Sequence, residues 1–218
     1  MVDCNLNYTK EEIFSRIDKV FNRRGRNITT AAARTWHAAV LVALVEKDGE
    51  PAFIFEKRAS TLSSQPGDIC FPGGHYDKTD DDLRFAAVRE TNEELGVPKK
   101  DIKVLGPLDI LVTRTGPVVH PFIGTIANIE KIKPSIDEVE SVLYIPLKYL
   151  LTYVPKKVNI KRKYKAPDDF PFDLVPSFPK GWQEDKGFNL YFYEYEGHVI
   201  WGITARILHA FIARYRRG

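Results

Sequence analysis

Three glutamates, Glu90, Glu93 and Glu94, stand in the run Arg89-Glu90-Thr91-Asn92-Glu93-Glu94-Leu95-Gly96. On a helix turning ~100° per residue they fall within an arc of roughly 100°, so the three carboxylates share one face. The arrangement is locally unfavourable. Glu90 and Glu94 are like charges at i,i+4, which costs about 0.2–0.5 kcal/mol, and Glu93 and Glu94 crowd the negative end of the helix dipole. A hard divalent cation, Mg²⁺ or Mn²⁺, offsets both effects, because such ions prefer carboxylate oxygens and are often held together with substrate phosphates. A cation held there polarises a phosphoryl oxygen, neutralises developing charge and activates a water. Arg89, four residues before Glu93, is placed to hold one carboxylate. The bland alternative is a solvated acidic face, the usual explanation of a Glu-Glu pair. Against it, these acids end a small-residue face of Leu83, Ala86 and Ala87, follow Gly73-Gly74 at fixed distance, and break two local rules at once.

The elements that must carry these acids are legible around them. Asp80-Asp81-Asp82 supplies caps for a helix running to about Leu95, with Gly96 as its C′ residue and Pro98 just beyond. Phe85, Val88 and Leu95 leave the small-residue face, which predicts burial on two sides. Residues 36–45 and 52–55 are apolar runs separated by Lys47-Asp48-Gly49-Glu50, a hairpin signal. Residues 69–71 form a strand-sized piece between the loops Gln65-Pro66-Gly67 and Pro72-Gly73-Gly74. Further strands are expected at 104–112, 121–126, 142–145, 189–195 and 198–201, and helices at 146–151 and 203–214. Residues 156–185 show no periodicity. Near the start, Thr9 and Glu12 make a capping box, and Ile13, Ile17, Val20 and Phe21 recur at helical spacing as far as Arg23-Arg24-Gly25. The class is α/β: an N-terminal amphipathic helix and lead-in over 1–34, then one domain over 35–218.

The bulk numbers suit this reading. The chain has 218 residues, 44% hydrophobic, enough for one sizeable core. A net charge of +3 hides a dense basic run, Lys156, Lys157, Lys161, Arg162, Lys163 and Lys165. Its two readings are a solvated, mobile loop and an attractor for substrate phosphates. Nucleic-acid binding is a weaker third option, because no nucleic-acid module accompanies the run. Cys4 and Cys70 form neither a Cys-x-x-Cys pair nor a disulfide framework, so free thiols in a reducing compartment are expected, with Cys70 an inert buried thiol. The five histidines lack metal-ligand spacing, although His75 adjoins Gly74. No window reaches the ~18 apolar residues of a membrane span. P-loop, Gly-x-Ser-x-Gly and Gly-x-Gly-x-x-Gly patterns are absent, which removes kinase, esterase and dinucleotide-oxidoreductase readings.

The run from Gly74 through Asp80 to Arg89-Glu90-Thr91-Asn92-Glu93-Glu94-Leu95-Gly96-Val97 resembles the box of the Nudix hydrolase superfamily. It departs in having Asp80 for the first glutamate, Thr91 at an apolar position, and eight rather than seven residues between Asp80 and Arg89. The extra residue, together with Arg58-Ala59, Ser63, Gly67 and Phe71-Pro72-Gly73-Gly74, is similar to the coenzyme A diphosphatase branch; only Ser63, where that branch has a basic residue, differs. Asp137-Glu138-Val139, Tyr144-Ile145-Pro146-Leu147 and the segment from His198 to Ala205 are similar to its later parts.

The resemblance implies a Nudix fold, a mixed β-sheet between helices with a loop-helix-loop from Gly74 to Val97. It implies hydrolysis of coenzyme A or acyl-CoA to 3′,5′-ADP and (acyl-)4′-phosphopantetheine with Mg²⁺ or Mn²⁺. Glu90, Glu93 and Glu94 would bind the metal. Arg58 would contact a phosphate, and Gly73 and Gly74 would shape the substrate loop. Glu138, with Glu140 as alternative, would complete the metal site or serve as base. The resemblance also suggests a soluble monomer or homodimer, in the peroxisome first and the mitochondrion or cytosol otherwise, although the chain ends Tyr215-Arg216-Arg217-Gly218 without a peroxisomal tripeptide. The alternatives are another Nudix substrate, such as ADP-ribose, NADH or a nucleotide sugar, and an inactive Nudix-like module binding nucleotide or RNA.

Overall fold

The computed structural model describes residues 9–21, 36–113 and 116–217. Its centre is a mixed sheet built on two long strands, β1 (His37–Lys47) and β2 (Glu50–Arg58), joined as the expected hairpin. Asp48 (φ 52°) and Gly49 (φ 80°) make the two-residue turn, the positive-φ pair that suits strand twist. β3 (Ile69–Cys70) pairs with β2, and β4 (Gly73–His75) pairs with β1. Gly73 and Gly74, expected in a loop, thus belong to a short strand that pairs in register with Val40 and Ala39. β5 (Ile102–Pro107) and β6 (Leu111–Val112) split the single strand expected over 104–112; both pair with β7 (Val118–Ile126), which runs parallel to β1. β8 (Val139–Pro146) lies along β2, and the order through the sheet is β3-β2-β1-β7-β5.

β1 is buried on both faces, and its period of two assigns its side chains. Ala39, Leu41, Ala43 and Val45 join one core cluster with Ala86, Ala87 and Leu95 of the acid-bearing helix, α2 (Leu83–Leu95). Val42 and Leu44 face the opposite cluster, which contains α1 (Lys10–Phe21), α3 (Leu147–Thr152) and α4 (Gly202–Tyr215). The sheet is therefore sandwiched between helices. Phe85 is 38% exposed, so α2 is less buried on its second side than its apolar residues suggest; the Lys99 ammonium lies over the Phe85 ring instead.

The capping box of α1 forms reciprocally: Glu12 N–H donates to Thr9 Oγ1 at 3.2 Å and Thr9 N–H to Glu12 Oε2 at 2.8 Å. Ile13 and Ile17 enter the core, and the Arg16 guanidinium caps the end of α4 by donating to the Tyr215 carbonyl. The expected end of this helix at Arg23-Arg24-Gly25, and Cys4, lie outside the described residues. The aperiodic segment contains β9 (Lys156–Ile160), β10 (Lys163–Tyr164) and β11 (Gln183–Glu184). β9 pairs with β12 (Phe188–Tyr195), which also pairs with β13 (His198–Ile200). Among the described residues no helix is long and apolar enough to cross a membrane.

Candidate active site

α2 is started by Asp82, whose Oδ1 accepts the Phe85 N–H at 2.7 Å, and stopped by Gly96 at φ 67°, as its sequence predicts. The helix packs through alanines against β1, and this close approach brings its last turn beside β4. There the Gly73 N–H donates to Glu94 Oε2 at 2.7 Å. Gly73 has φ 147°, and a Cβ on it would overlap the Ala39 carbonyl oxygen, so only glycine fits. At Gly74 a Cβ would lie 2.6–2.7 Å from the carboxyl atoms of Glu90. The missing side chain of Gly74 leaves room for Glu90, and the Gly73 N–H holds Glu94.

Arg89 organises the other side. Its Nε and Nη2 donate to the two oxygens of Asp80 at 2.8 and 3.1 Å, Nη1 donates to Glu93 Oε2 at 2.8 Å, Nη2 lies 3.0 Å from Glu90 Oε1, and Nη2 also donates to the His75 carbonyl at 3.0 Å. Asp80 is therefore a buried anchor for Arg89, a role an aspartate can fill as well as the longer acid. Its carboxyl is held below the usual carboxylate range, chiefly by the Arg89 hydrogen bond. Thr91, also buried, satisfies its hydroxyl by donating to the Ala87 carbonyl at 2.7 Å, which explains how it replaces an apolar side chain.

The acids are not equivalent. Glu93 is held by Arg89 with half of its side chain exposed. Glu94 is only 5% exposed; burial, then the charge of Glu56, push its pKa well up against the opposing Gly73 N–H. Burial also raises Glu90, opposed by Arg89. Glu138 is exposed, just before β8, and its charge raises Glu56, Glu90 and Glu94 alike. A register shift in the β2–β8 pairing and the Ala59 N–H donating to the Glu138 carbonyl at 2.8 Å fix this approach. Glu140 instead pairs with the Lys57 ammonium.

Glu56 is the residue that sequence reasoning missed. It sits on β2 with 0% exposure, accepts the Cys70 thiol at 3.2 Å through Oε1, and leaves Oε2 without a hydrogen-bond partner. Burial raises its pKa to about 7. The available signal was an acid at the position two after Ile54, continuing the strand parity of Ala52 and Ile54. Cys70, a free thiol, has its own pKa pushed up by burial and then by Glu56 and Glu94, as suits an unreactive thiol.

On the opposite side of the glycine pair from α2 lies a cavity of about 430 Å³. Arg58, Gly73 and Gly74 line it together with Trp36, His75 and Trp201. His75 stacks on Trp36 at 5.2 Å, the Trp201 Nε1–H donates to Asp68 at 3.1 Å, and the Arg58 Nε–H donates to the Ser64 carbonyl at 3.3 Å. None of the six residues of the basic run lines this cavity. Lys161 pairs with Glu184, Lys165 with Asp168, and Arg162 lies over the Phe188 ring, so much of that charge is spent locally. Among the described residues no group of three or more His, Cys, Asp or Glu side chains stands in place to hold a metal ion; Glu93 accepts from Arg89 and Glu94 from the Gly73 N–H.

A mixed sheet between helices, with an acid-bearing helix seated on a glycine strand, defines a Nudix-type hydrolase. The NUDIX domain model matches residues 35–166, and the chain belongs to that family. Among its relatives, the uncharacterized Nudix hydrolase NudL of Photorhabdus laumondii is 30% identical over 173 residues, 79% of this chain and 81% of that one. The peroxisomal coenzyme A diphosphatase NUDT7 of Mus musculus is 34% identical over 124 residues, 56% of this chain and 52% of that one. A solved Nudix hydrolase from M. smegmatis, RenU, is 21% identical with a TM-score of 0.45, covering 58% of this chain and 82% of that one.

Proposed function

We propose that this Nudix hydrolase is a metal-dependent diphosphatase acting on coenzyme A and acyl-CoA, releasing 3′,5′-ADP and 4′-phosphopantetheine or its acylated form. The observation that carries the reading is the shared cavity of Arg58 and Gly73-Gly74, whose glycine wall abuts the Glu90 and Glu94 carboxyls. The mouse relative, described as a coenzyme A diphosphatase, supports the substrate. It also makes the peroxisome the first compartment to examine, with the mitochondrion second.

The donor set fits a hard cation. Carboxyls whose pKa is raised first by burial and then by neighbouring acids, and a buried carboxylate oxygen with no partner, are what Mg²⁺ or Mn²⁺ stabilises. Glu90, Glu93 and Glu94 would hold it, and when bound it supplies charge neutralisation and Lewis acidity at the diphosphate. Arg89 orients Glu90 and Glu93, as partners behind metal ligands commonly do. Arg58 faces the cavity and binds phosphate oxygens. Glu138, exposed beside the buried acids, takes the proton of the attacking water as general base. A P–O bond forms to that water while the bridging P–O bond breaks, and the bridging oxygen departs with the second phosphate.

The test is a panel of CoA, acetyl-CoA, ADP-ribose and NADH with Mg²⁺ or Mn²⁺, products resolved by chromatography. The expected result is 3′,5′-ADP from both CoA substrates at a kcat/KM above those of ADP-ribose and NADH. Turnover of ADP-ribose or NADH alone would replace the substrate and retain the chemistry; no turnover by folded protein would favour a binding module.

A further inference from the structure

β2 carries an acid that the box does not contain. Glu56 projects with Ala52 and Ile54 towards the α2 side of the sheet, where it adjoins the buried carboxyl of Glu94. Its Oε1 accepts the Cys70 thiol, while Oε2 is buried with no partner. Glu94 accepts the Gly73 N–H through Oε2. Two carboxyls therefore meet inside the protein, and the one donor between them is a proton that one of the two carries. Leaving a buried acceptor unsatisfied costs about 1–3 kcal/mol and more for a charged one, so a fold that retains such a group has a use for it. Lys57 pairs with Glu140, and the Arg58 guanidinium, whose Nε–H donates to the Ser64 carbonyl, acts on Glu56 through its charge and makes no hydrogen bond to Oε2.

We propose that Glu56 is a further carboxylate of the divalent-cation site, seated behind Glu94, and that its partnerless Oε2 is satisfied by the bound cation. The inference rests on reading the box glutamates as a metal site and extends that site from α2 across to the sheet. It makes cation binding a condition for the buried acid pair to be comfortable, so metal affinity and the stability of the metal-free protein are linked through one residue.

The experiment compares the full chain with Glu56→Gln, which keeps shape and removes charge. After EDTA treatment and dialysis at about pH 8, Mn²⁺ binding is measured by calorimetry and melting is followed with and without Mn²⁺. The expected result is Mn²⁺ affinity about tenfold weaker in Glu56→Gln. Its metal-free melting temperature should equal or exceed that of the parent, and its gain on adding Mn²⁺ should be smaller. Glu56→Thr, uncharged and β-branched as a strand favours, repeats the comparison with a smaller side chain. Equal affinity and equal gain would overturn the role of Glu56 while leaving the box site intact. A metal-free variant less stable than the parent would also overturn it, since that would reveal a partner for Oε2 within the protein. A parent chain that binds no Mn²⁺ would overturn both this inference and the metal-dependent reading beneath it.

Discussion

Arg89 connects more of the site than any other side chain, touching Asp80, Glu90, Glu93 and the His75 carbonyl. A lysine keeps the charge but not the planar fork, so Arg89→Lys cannot serve these partners together. Asp80→Asn removes the anchor behind Arg89, and we expect metal-dependent activity to fall about 10–100-fold, as for other partners behind metal ligands; a steady-state assay across Mn²⁺ concentrations checks it. The buried acids also predict a pH dependence. Glu56 is raised from 4.5 to about 7, and Glu94 is raised too. A carboxyl whose folded-state pKa is raised holds its proton more tightly when folded, so its contribution to stability is complete below about 4.5 and lost as pH rises through about 7. In EDTA the Glu56 contribution should therefore weaken the protein across that window, and Glu56→Gln should flatten the profile. Asp80 acts oppositely: its depressed pKa stabilises above its ordinary 3.8 and is lost only as pH falls through the lower folded value. Melting temperatures against pH, parent beside Glu56→Gln, test the sign; identical slopes would contradict it.

Elements placed the site as much as residues did. The α2 helix could be read from Asp82, the acids and Gly96 because caps and helical spacing are local. β4 could not, since three residues at Gly73–His75 become a strand only by pairing with β1. Glu56 was hidden for a related reason: it follows an apolar run but precedes Lys57-Arg58, and its burial is decided by Glu94 and Cys70, distant in sequence. β9 has an exposed, lysine-rich edge with no apolar alternation, the form edge strands commonly take. At this scale Gly73→Ala is the sharp test. A methyl there meets the Ala39 carbonyl and is strained at φ 147°, so a loss of about 1–3 kcal/mol is expected in denaturant melts, with displaced Glu94 costing activity as well. A variant of parental stability would mean the β1–β4 approach is looser than described.

On the scale of the whole molecule, the N-terminal helix sits outside the residues matched by the family model, which begin at 35, yet Ile13 and Ile17 are buried in the core beneath α4. Ile17→Ala should cost about 2–5 kcal/mol, as large-to-small core changes do, measured by urea unfolding; a change under about 0.5 kcal/mol, the surface range, would show that the helix does not belong to this core. The fold class was legible because β1 and β2 are apolar runs joined by turn residues and α2 is bounded by its own caps, whereas the position of α1 against α4 depends on contacts across nearly the full chain, such as Arg16 with Tyr215.

The central claim is that clustered carboxylates beside a glycine strand make this domain a metal-dependent diphosphatase for coenzyme A. Its most direct test is CoA turnover by the parent and by Glu94→Gln, each with Mn²⁺ and with EDTA, with products identified by mass. Metal-dependent appearance of 3′,5′-ADP and 4′-phosphopantetheine in the parent, lost with EDTA and in Glu94→Gln of parental fold, is the result expected. Equal turnover by the variant, or turnover in the parent that EDTA leaves unchanged, would contradict the account.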